Sequence, residues 1–484
     1  MSMPENNIQF ILDDRIISLD FKDGGAIRPD TNLLGYLRIS GHSSVKEGCG
    51  EGDCGACTVV IAEAVHGELS YKAINACLVF LPMIHGCQVI TTENLSFRQN
   101  GKLQLHPVQQ ALVDHHGSQC GYCTPGIVMS LFALWKNHSR ITPALVKERL
   151  AGNLCRCTGY QPIIDAIVDQ SGKARHDHFN DTSEKITKDL ISIQQKSGDI
   201  VISTSGLLYL KPASLREALK LRKKYPEATM LSGATDIAVM VNKRKQEISA
   251  YLDISSLMDL KFIIKGDKYI SLGSCVSIHE MGEGIKDDFP ALFDMIGLFG
   301  SHQIRNLATP GGNIASASPI GDLIPVLMAY GCELELQNQE RKRTMPLEHF
   351  IKGYHSTEME EDELITALIL PYPNKNKMIR SYKVSKRKDV DISTVSSAFL
   401  LSLDKSDMIQ EAKLFFGGMA ATTIRAVETE DYLMGKKWTE ELAVNASGII
   451  RTEFEPISDA RSAAESRKIM AGNLLIRFWE DTEK

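Results

Sequence analysis

The chain has 484 residues, 43% of them hydrophobic, which is enough for about three domains that each bury a core. Its net charge of -6 supplies no large positive field, which argues against nucleic acid or an anionic membrane surface as the main partner. No run approaches the ~20 apolar residues of a membrane span, and the N-terminus lacks a leader pattern, so we expect a cytoplasmic protein without membrane contact. In that reducing compartment, clustered cysteines are more often metal ligands than disulfides.

The first part of the chain predicts a small sheet with one helix. Residues 8–21 and 57–63 read as strands, and residues 31–40 read as a helix with its leucines on one side. From 107 to 170 the pattern changes to four short helices, the third of which is expected to begin at Thr142 as N-cap.

Residues 171–206 are polar and weakly periodic, which predicts a surface linker. His176 and His178 in that segment could bind a metal, but a solvated linker is the favoured interpretation. After residue 210 strands and helices alternate in an α+β pattern, and from about residue 377 three strands precede further helices.

A first set of four cysteines lies in and after the string CGEGDCGAC: Cys49, Cys54, Cys57 and Cys77. The Cx4CxxC spacing is typical of plant-type 2Fe-2S ferredoxins. Gly48, Gly50, Gly52 and Gly55 would let the loop wrap a cluster with its amides turned inward, where they tune the reduction potential. A zinc site with four cysteine ligands is the alternative, although paired CxxC knuckles would be expected for it.

A second set follows in CGYC and CRC: Cys120, Cys123, Cys155 and Cys157. Each half is predicted to lie at a helix start, whose partial positive charge favours thiolates. A CxC half is strained for tetrahedral zinc. The remaining cysteines stand singly in apolar surroundings and are predicted to be buried core residues: Cys87, Cys275 and Cys332.

With both sets identified, the first 170 residues resemble the two-cluster part of the xanthine dehydrogenase and aldehyde oxidase family of molybdenum hydroxylases. The strings QCGYCTPG and GNLCRCTGYQPI stand here much as the family carries them. Five further strings resemble the flavin domain of that family: MLSGATDIAVMV, NLATPGGNIASASPIGDLIPVLMA, FIKGYHST, SYKVSKRKDVDIST and FFGGMAATTIRA. The resemblance covers nearly the whole chain, but no molybdopterin domain is expected in it.

The resemblance implies an α+β multidomain fold. The expected parts are a β-grasp 2Fe-2S ferredoxin-like domain at 6–95, a four-helix 2Fe-2S domain at 96–172, a linker at 173–204, a two-part FAD-binding domain of the vanillyl-alcohol-oxidase/CO-dehydrogenase flavoprotein type at 205–375, and a C-terminal α+β flavoprotein domain at 376–484.

Two loops are suited to hold a flavin nucleotide. GATD after a strand and PGGN before a Ser/Ala-rich stretch expose amides that can cradle a pyrophosphate, although a GG pair alone is more often a turn. By resemblance, Phe299 would lie against the isoalloxazine ring. The other residues implied to line FAD are Thr229, Met230, Leu231, Ser232, Gly233, Ala234, Thr235, Asp236, Thr309, Gly311, Gly312, Asn313, Asp322, Ile365 and Lys383.

Tyr354 and the string KRKDVDIS match the family region where a nicotinamide cofactor reaches the flavin. Val390 departs from the acidic residue expected there, so NAD and another acceptor both stay open. Gln119 is implied to face the pterin of a partner; the alternative is a polar helix-end residue bound to backbone.

The implied function is electron transfer. A partner subunit with molybdopterin would hydroxylate hypoxanthine or xanthine, and electrons would pass through the second cysteine set, the first set and FAD to NAD, in a dimer of heterodimers. A second interpretation is the same part of another molybdenum hydroxylase, acting on an aldehyde, nicotinate, another N-heterocycle or an aromatic thioester. The thioester type carries a further cluster, for which Cys275 and Cys332 are too few. A third is a zinc-stapled scaffold without a redox role.

Overall fold

A computed structural model describes residues 6–22, 24–99, 101–173, 175–196, 198–204 and 206–483. The chain divides into two compact units: Met1–Leu257 with Gly300–Ala308, and Met258–Phe299 with Thr309–Lys484. Both units combine helices with sheets, so the predicted α+β fold is confirmed. Across the described ranges, no helix has both the length and the apolar character needed to cross a bilayer.

The first unit opens with a five-stranded sheet in the order β2-β1-β5-β3-β4. Its strands are β1 (Asn7–Leu12), β2 (Arg15–Asp20), β3 (Thr58–Val65), β4 (Glu68–Asn75) and β5 (Gln88–Ile90). The β1–β5 pair is parallel, and the other pairs are antiparallel. Helix α1 (Leu33–Ile39) buries Leu33, Leu34 and Leu37 as its pattern predicted. Two short 3-10 helices follow β4, at Ala76–Leu78 and Leu81–Ile84.

Four helices then form the second part of this unit, after α2 (Thr92–Leu95) and the hairpin of β6 (Phe97–Gln99) and β7 (Lys102–Gln104). They are α3 (Pro107–Asp114), α4 (Thr124–Asn137), α5 (Pro143–Leu150) and α6 (Gln161–Val168). Thr142 caps α5 by accepting a hydrogen bond from the amide of Leu145, as predicted. Every residue of α4 from Gly126 to Trp135 is buried, so α4 is the centre of the group.

The stretch expected to be a solvated linker contains the long helix α7 (His178–Lys196). Ile186 and Leu190 on its inner face pack against Ile11 of β1. The linker prediction is therefore wrong for this helix, because its few apolar residues recur at helical spacing and bury one face. The two histidines have separate partners: His176 pairs with Asp181 at 3.1 Å, and His178 lies 3.0 Å from the carbonyl of Asn94.

A four-stranded sheet completes the first unit in the order β10-β11-β9-β8. Its strands are β8 (Ile200–Thr204), β9 (Leu207–Lys211), β10 (Thr229–Leu231) and β11 (Ala250–Asp253), with helices α8 (Leu215–Lys224) and α9 (Thr235–Arg244). It shares one hydrophobic core with the first sheet, in which Phe80 lies 5.6 Å from Tyr251. The first sheet and this one therefore form a continuous body.

The second unit contains a five-stranded antiparallel sheet, a four-stranded antiparallel sheet and a two-stranded hairpin. The strands are β12 (Ile263–Lys265), β13 (Tyr269–Gly273), β14 (Glu333–Gln337), β15 (Lys342–Pro346), β16 (Ile351–Gly353), β17 (Ser356–Thr357), β18 (Leu364–Pro371), β19 (Lys377–Val384), β20 (Val395–Leu403), β21 (Ile409–Gly417) and β22 (Ile424–Arg425).

A 3-10 helix at Met258–Leu260 and nine α-helices follow α9 in the described chain. The α-helices are α10 (Ile278–Ile285), α11 (Pro290–Gly297), α12 (His302–Arg305), α13 (Pro310–Ala315), α14 (Leu323–Ala329), α15 (Leu347–Phe350), α16 (Val427–Leu433), α17 (Glu440–Glu453) and α18 (Ala464–Glu480). Helix α12 belongs to the first unit and the others to the second. Helix α14 is buried along its whole length and packs against β20 and β21.

The packing of α7 can be tested at Leu190, which is fully buried. We expect Leu190→Ala to cost about 2–3 kcal/mol, because a large apolar side chain is lost from a packed contact. Amide exchange in residues 178–196 should then be faster by roughly 30-fold to 100-fold, measured by hydrogen–deuterium exchange. Lys188→Ala, at an exposed position of the same helix, is the control and should leave the rates unchanged. Equal rates in both variants would contradict the packed helix.

Candidate metal and cofactor sites

The first cysteine set lies at one end of the first sheet. Cys49 and Cys54 stand in the loop between α1 and β3, and Cys57 directly precedes β3. Cys77 lies in the 3-10 helix after β4, where the amide of Ala76 donates to the carbonyl of Cys57 at 3.3 Å. Cys57 is 3% exposed and Cys77 1%. The pairing of β3 with β4 therefore brings the last two cysteines together.

Glycines shape this loop largely as the sequence predicted. Gly50, Gly52 and Gly55 have φ values of 70°, 88° and 67°, a region that other residues rarely adopt. At Gly48 the constraint is different, because a Cβ would lie 2.6 Å from the sulfur of Cys54. The loop can thus close tightly around its sulfurs.

Backbone amides donate to the sulfurs of the first set. The amides of Glu51 and Cys54 each lie 3.4 Å from Cys49 Sγ, and the amide of Cys49 lies 3.3 Å from Cys54 Sγ. A hydrogen bond from the Cys54 thiol, helped by these amides, lowers the pKa of Cys49 to about 4 and raises that of Cys54. A hydrogen bond from Cys77 likewise lowers the pKa of Cys57. The sulfurs of the first set therefore lie in two pairs, Cys49 with Cys54 and Cys57 with Cys77.

The second set lies at the surface of the helical part. Cys123 is the N-cap residue of α4, whereas Cys155 and Cys157 lie in the loop before α6. The prediction of two helix starts is thus correct for one half only. Cys157 Sγ lies 3.7 Å from Cys120 Sγ. The hydroxyl of Tyr160 accepts from the amide of Cys155 at 2.7 Å and fixes the loop.

The donor arrangement fits di-iron clusters. The sulfurs come in pairs, which suits a cluster with two thiolates on each iron and amide donors around it. The other three cysteines are buried, as predicted: Cys87, Cys275 and Cys332.

One backbone hydrogen bond joins the two cysteine loops. The amide of Leu154, which precedes Cys155, donates to the carbonyl of Cys54 at 3.0 Å. A Cβ at Gly55 would lie only 2.1 Å from the carbonyl oxygen of Gly152, so the loops can approach this closely only with glycine at that position.

Asn153 is a buried residue of this contact that the sequence analysis missed. Its amide group donates to the carbonyl of Gly55 at 3.1 Å and to Thr58 Oγ1 at 3.2 Å. Its Oδ1 accepts from Ser130 at 2.6 Å and from Gln303 at 2.7 Å. All four hydrogen-bonding positions of the side chain are used. Its place in the string GNLCRC was the available signal.

The residues predicted to line FAD are divided between the two units. In the first unit, Thr229–Asp236 runs from β10 into α9. A Cβ at Gly233 would lie 2.1 Å from the carbonyl oxygen of Leu307, so the turn requires glycine there. Ala234 has a φ of 57°, and it gives α9 no side-chain cap. The first amides of α9 therefore remain available to an anionic group, as a phosphate cradle requires.

In the second unit, the PGGN loop forms the start of α13. Thr309 caps it by accepting from the amide of Gly312 at 3.2 Å, and the amide of Gly311 donates to the carbonyl of Ser274 at 3.0 Å. The Oδ1 of Asn313 is buried without a hydrogen-bond partner. A buried acceptor of this kind fits a donor from a bound cofactor.

Lys383 and Asp322 form a buried ion pair in the second unit, 2.6 Å apart. Lys383 Nζ also donates to the carbonyl of Leu298 at 3.0 Å, and Ser393 donates its hydroxyl to Asp322. Burial raises the pKa of Asp322, and the charge of Lys383 opposes that rise.

The other predicted residues occupy varied settings. Ile365 is buried in β18, and Phe299 is half-buried just after α11. Tyr354 is 66% exposed at the turn between β16 and β17. Val390 has a φ of 51°, which is strained for a β-branched residue. Gln119 is exposed, and its side-chain amide donates to the carbonyl of Cys157 at 3.1 Å.

Four family models match the chain in succession. They are a 2Fe-2S iron-sulfur cluster binding domain at residues 26–82, a [2Fe-2S] binding domain at 91–168, an FAD binding domain in molybdopterin dehydrogenase at 202–373, and a CO dehydrogenase flavoprotein C-terminal domain at 380–482. A xanthine dehydrogenase of Emericella nidulans is 32% identical, in an alignment that covers 99% of this chain and 39% of that protein. The chain belongs to the molybdenum hydroxylase family.

Other relatives agree with this assignment. Aldehyde oxidase 1 of Bos taurus is 29% identical over 94% of this chain and 38% of its own length. This molybdenum hydroxylase chain thus spans about two fifths of the curated relatives that it matches. A CO dehydrogenase structure from Oligotropha carboxidovorans is 25% identical with a TM-score of 0.53, covering 56% of this chain and 94% of that one. Quinoline 2-oxidoreductase of Pseudomonas putida 86, at 21% identity and a TM-score of 0.53 over 56% of this chain and 95% of that one, shares the fold.

These matches give the chain two 2Fe-2S cluster binding domains and an FAD binding domain. They argue against the zinc-stapled scaffold, because two successive domains match iron–sulfur families rather than zinc families.

The buried ion pair supplies a test in the second unit. Lys383→Met should destabilise this unit by about 3–5 kcal/mol at neutral pH, because it leaves the Asp322 carboxylate buried and unpaired. The pKa of Asp322 in the folded chain is already raised, and the variant raises it further. Stability should therefore be retained at low pH, where both states are protonated, and should fall as pH rises through the raised value.

Thermal unfolding followed across pH checks this expectation. The double variant Lys383→Met with Asp322→Asn carries no charge at this position and should lose the added pH dependence. A Lys383→Met chain as stable as the unmodified one at neutral pH would contradict the paired arrangement.

Proposed function

We propose that this chain is the electron-transfer subunit of a xanthine dehydrogenase. In this proposal a partner subunit with molybdopterin hydroxylates hypoxanthine or xanthine, and this chain passes the electrons to NAD. Curated relatives named xanthine dehydrogenase, from Emericella nidulans and Arabidopsis thaliana, support the assignment at 32% and 30% identity. When bound, the clusters relay single electrons and the flavin pairs them for hydride transfer.

The observation that carries the proposal is the difference in burial between the two cysteine sets. Cys120 and Cys157 are exposed, whereas Cys57 and Cys77 are buried. An outside donor therefore reaches the second set first. The hydrogen bond between Leu154 and the carbonyl of Cys54 then offers a short connection inward.

The eight cysteines act as ligands in pairs in this proposal. Sulfur contacts and shared hydrogen bonds support the pairs Cys49 with Cys54, Cys57 with Cys77, Cys120 with Cys157, and Cys123 with Cys155. The amides around Cys49 stabilise the thiolate form that iron requires.

The surface around the second set is the proposed contact for the molybdopterin subunit. Tyr122 and Leu154 expose 50% and 48% of their surface beside these cysteines. Gln119, bound to the carbonyl of Cys157, would face the pterin at the centre of that contact. A dimer of heterodimers is the assembly carried over from the family resemblance.

The flavin and its acceptor would be held by the residues predicted from the sequence. The loop 229–236 would bind the FAD pyrophosphate through its amides, and Asn313 would accept from the cofactor. Tyr354 would meet NAD, with the hairpin fixed by His355, whose Nδ1 lies 2.6 Å from the carbonyl of Ser316. Val390 itself offers no carboxylate to the nicotinamide.

A second candidate is the same subunit in another molybdenum hydroxylase. The 29% identity to Aldehyde oxidase 1 of Bos taurus favours it, and substrate choice would lie on the partner chain. Turnover of hypoxanthine, an aldehyde and quinoline by the assembled enzyme distinguishes the candidates. If the enzyme prefers the aldehyde or quinoline, that compound and not a purine is the substrate.

The chain purified alone should contain about four irons and one FAD, and it should oxidise NADH with a dye as acceptor. It should leave hypoxanthine untouched until the molybdopterin subunit is added, because the proposal assigns the hydroxylation to that subunit. Iron and acid-labile sulfide assays, flavin release and NADH-dye turnover are the measurements. Hypoxanthine turnover by the chain alone would contradict the division of labour.

Ligand variants test the pairs. Cys57→Ser and Cys123→Ser should each lose about two irons and one of two EPR signals, because each set holds its own cluster. Cys332→Ala, at a buried cysteine outside both sets, is the control and should keep all the iron. Loss of both signals from either single variant would rule out two independent clusters.

A further inference from the structure

Helix α9 connects the proposed flavin loop with the first cysteine set. It begins at Thr235, directly after the turn at Gly233, and ends at Arg244. At 1.5 Å per residue the helix is about 15 Å long. Its last turn carries Asn242 and Lys243, and both side chains contact the loop that holds the first set.

Asn242 binds both halves of this set. Its Nδ2 donates to the carbonyl of Gly50 at 3.1 Å and to the carbonyl of Cys77 at 2.7 Å. Its Oδ1 accepts from Asn32 Nδ2 at 2.9 Å, which fixes the orientation of the amide. One side chain therefore holds the loop of Cys49 against the last cysteine of the set.

The hydrogen bond from Asn242 to Gly50 affects a sulfur atom through one peptide group. The carbonyl of Gly50 shares its peptide with the amide of Glu51, and that amide donates to Cys49 Sγ at 3.4 Å. A hydrogen bond accepted at one end of a peptide polarises the donor at the other end. Asn242 thus strengthens the hydrogen bond on the sulfur of Cys49.

Lys243 adds a positive charge at the same loop. Its Nζ donates to the carbonyl of Cys49 at 3.0 Å, and its side chain is exposed. A nearby cation favours the more negative form of a redox centre, and solvent ions weaken this effect at an exposed position.

We propose that Asn242 and Lys243 are positioning residues that raise the reduction potential of the cluster on Cys49, Cys54, Cys57 and Cys77. The inference rests on the proposed function, since it takes these cysteines as cluster ligands. A reduced cluster carries one more negative charge than an oxidised cluster. The polarised amide and the ammonium group both stabilise that charge, so reduction becomes easier.

The test is an EPR-monitored redox titration of the full chain with both clusters. Asn242→Ala and Lys243→Met should each lower the midpoint potential of the first cluster, by up to about a tenfold change in the one-electron equilibrium, or about 59 mV. The second cluster is an internal reference and should not shift. The EPR line shape of the first cluster should also change in Asn242→Ala.

Matched variants separate charge from general disturbance. Lys243→Arg keeps the cation and should keep the potential. Lys245→Met removes the same charge from an exposed position at the end of the same helix, and should shift neither cluster. The Lys243→Met shift should shrink as salt is added.

The possible results have distinct meanings. Unchanged potentials in Asn242→Ala and Lys243→Met, or equal shifts of both clusters, overturn the inference. If Asn242→Ala does not retain iron, Lys243→Met decides alone, because its surface position should not impair folding. An unmodified chain without any cluster signal overturns the proposed function instead.

Discussion

The close approach of two cysteine loops is the constraint on which the first unit depends. The amide of Leu154 meets the carbonyl of Cys54 at 3.0 Å, and the surrounding backbone leaves no room for side chains. A Cβ at Gly126 would lie 2.2 Å from the carbonyl oxygen of Gly55, and one at Gly152 would lie 2.4 Å from the Cβ of Ser301. A larger residue at Gly126 would push α4 away from the first loop, and one at Gly152 would push the second loop away from Ser301.

Such a contact leaves buried polar groups that need partners. Asn153 meets this need for the carbonyl of Gly55 and for Ser130, with Gln303 as its fourth partner. A buried polar group without a partner costs about 1–3 kcal/mol of folding free energy. Because all hydrogen-bonding positions of Asn153 are used, the contact between the loops avoids this cost. In the second unit Lys383 plays the corresponding part for the Asp322 carboxylate. At both sites a neighbouring side chain supplies the hydrogen bonds or the opposite charge that the buried polar groups need.

The cysteine sets and most of the elements were predictable from the sequence, because their signals are local. The Cx4CxxC spacing, the N-cap at Thr142 and the leucines of α1 each lie within one short stretch. Helix α7 was missed because most of its residues are polar, so the few apolar residues that pack against Ile11 gave only a weak periodic signal.

The contacts of Asn153 and Asn242 could not be predicted for a different reason. Gln303 is 150 residues from Asn153, and Gly50 is 192 residues from Asn242, so no local pattern records either pairing. The loop before α6 differs from the predicted helix start because Tyr160, with a φ of 67°, delays the helix. The cysteine spacing therefore identified the proposed ligands, but the side chains that hold the cysteine loops in place come from distant segments of the chain.

The segment Gly300–Ala308 returns from the second unit to complete the first. Because Gln303 belongs to the buried contact between the cysteine loops, that contact stays unfinished while the ribosome has synthesised only the N-terminal 257 residues. Domains otherwise fold from the N-terminus as they emerge. Here the contact between the cysteine loops has to wait for a segment that is synthesised at least 42 residues after the rest of its unit.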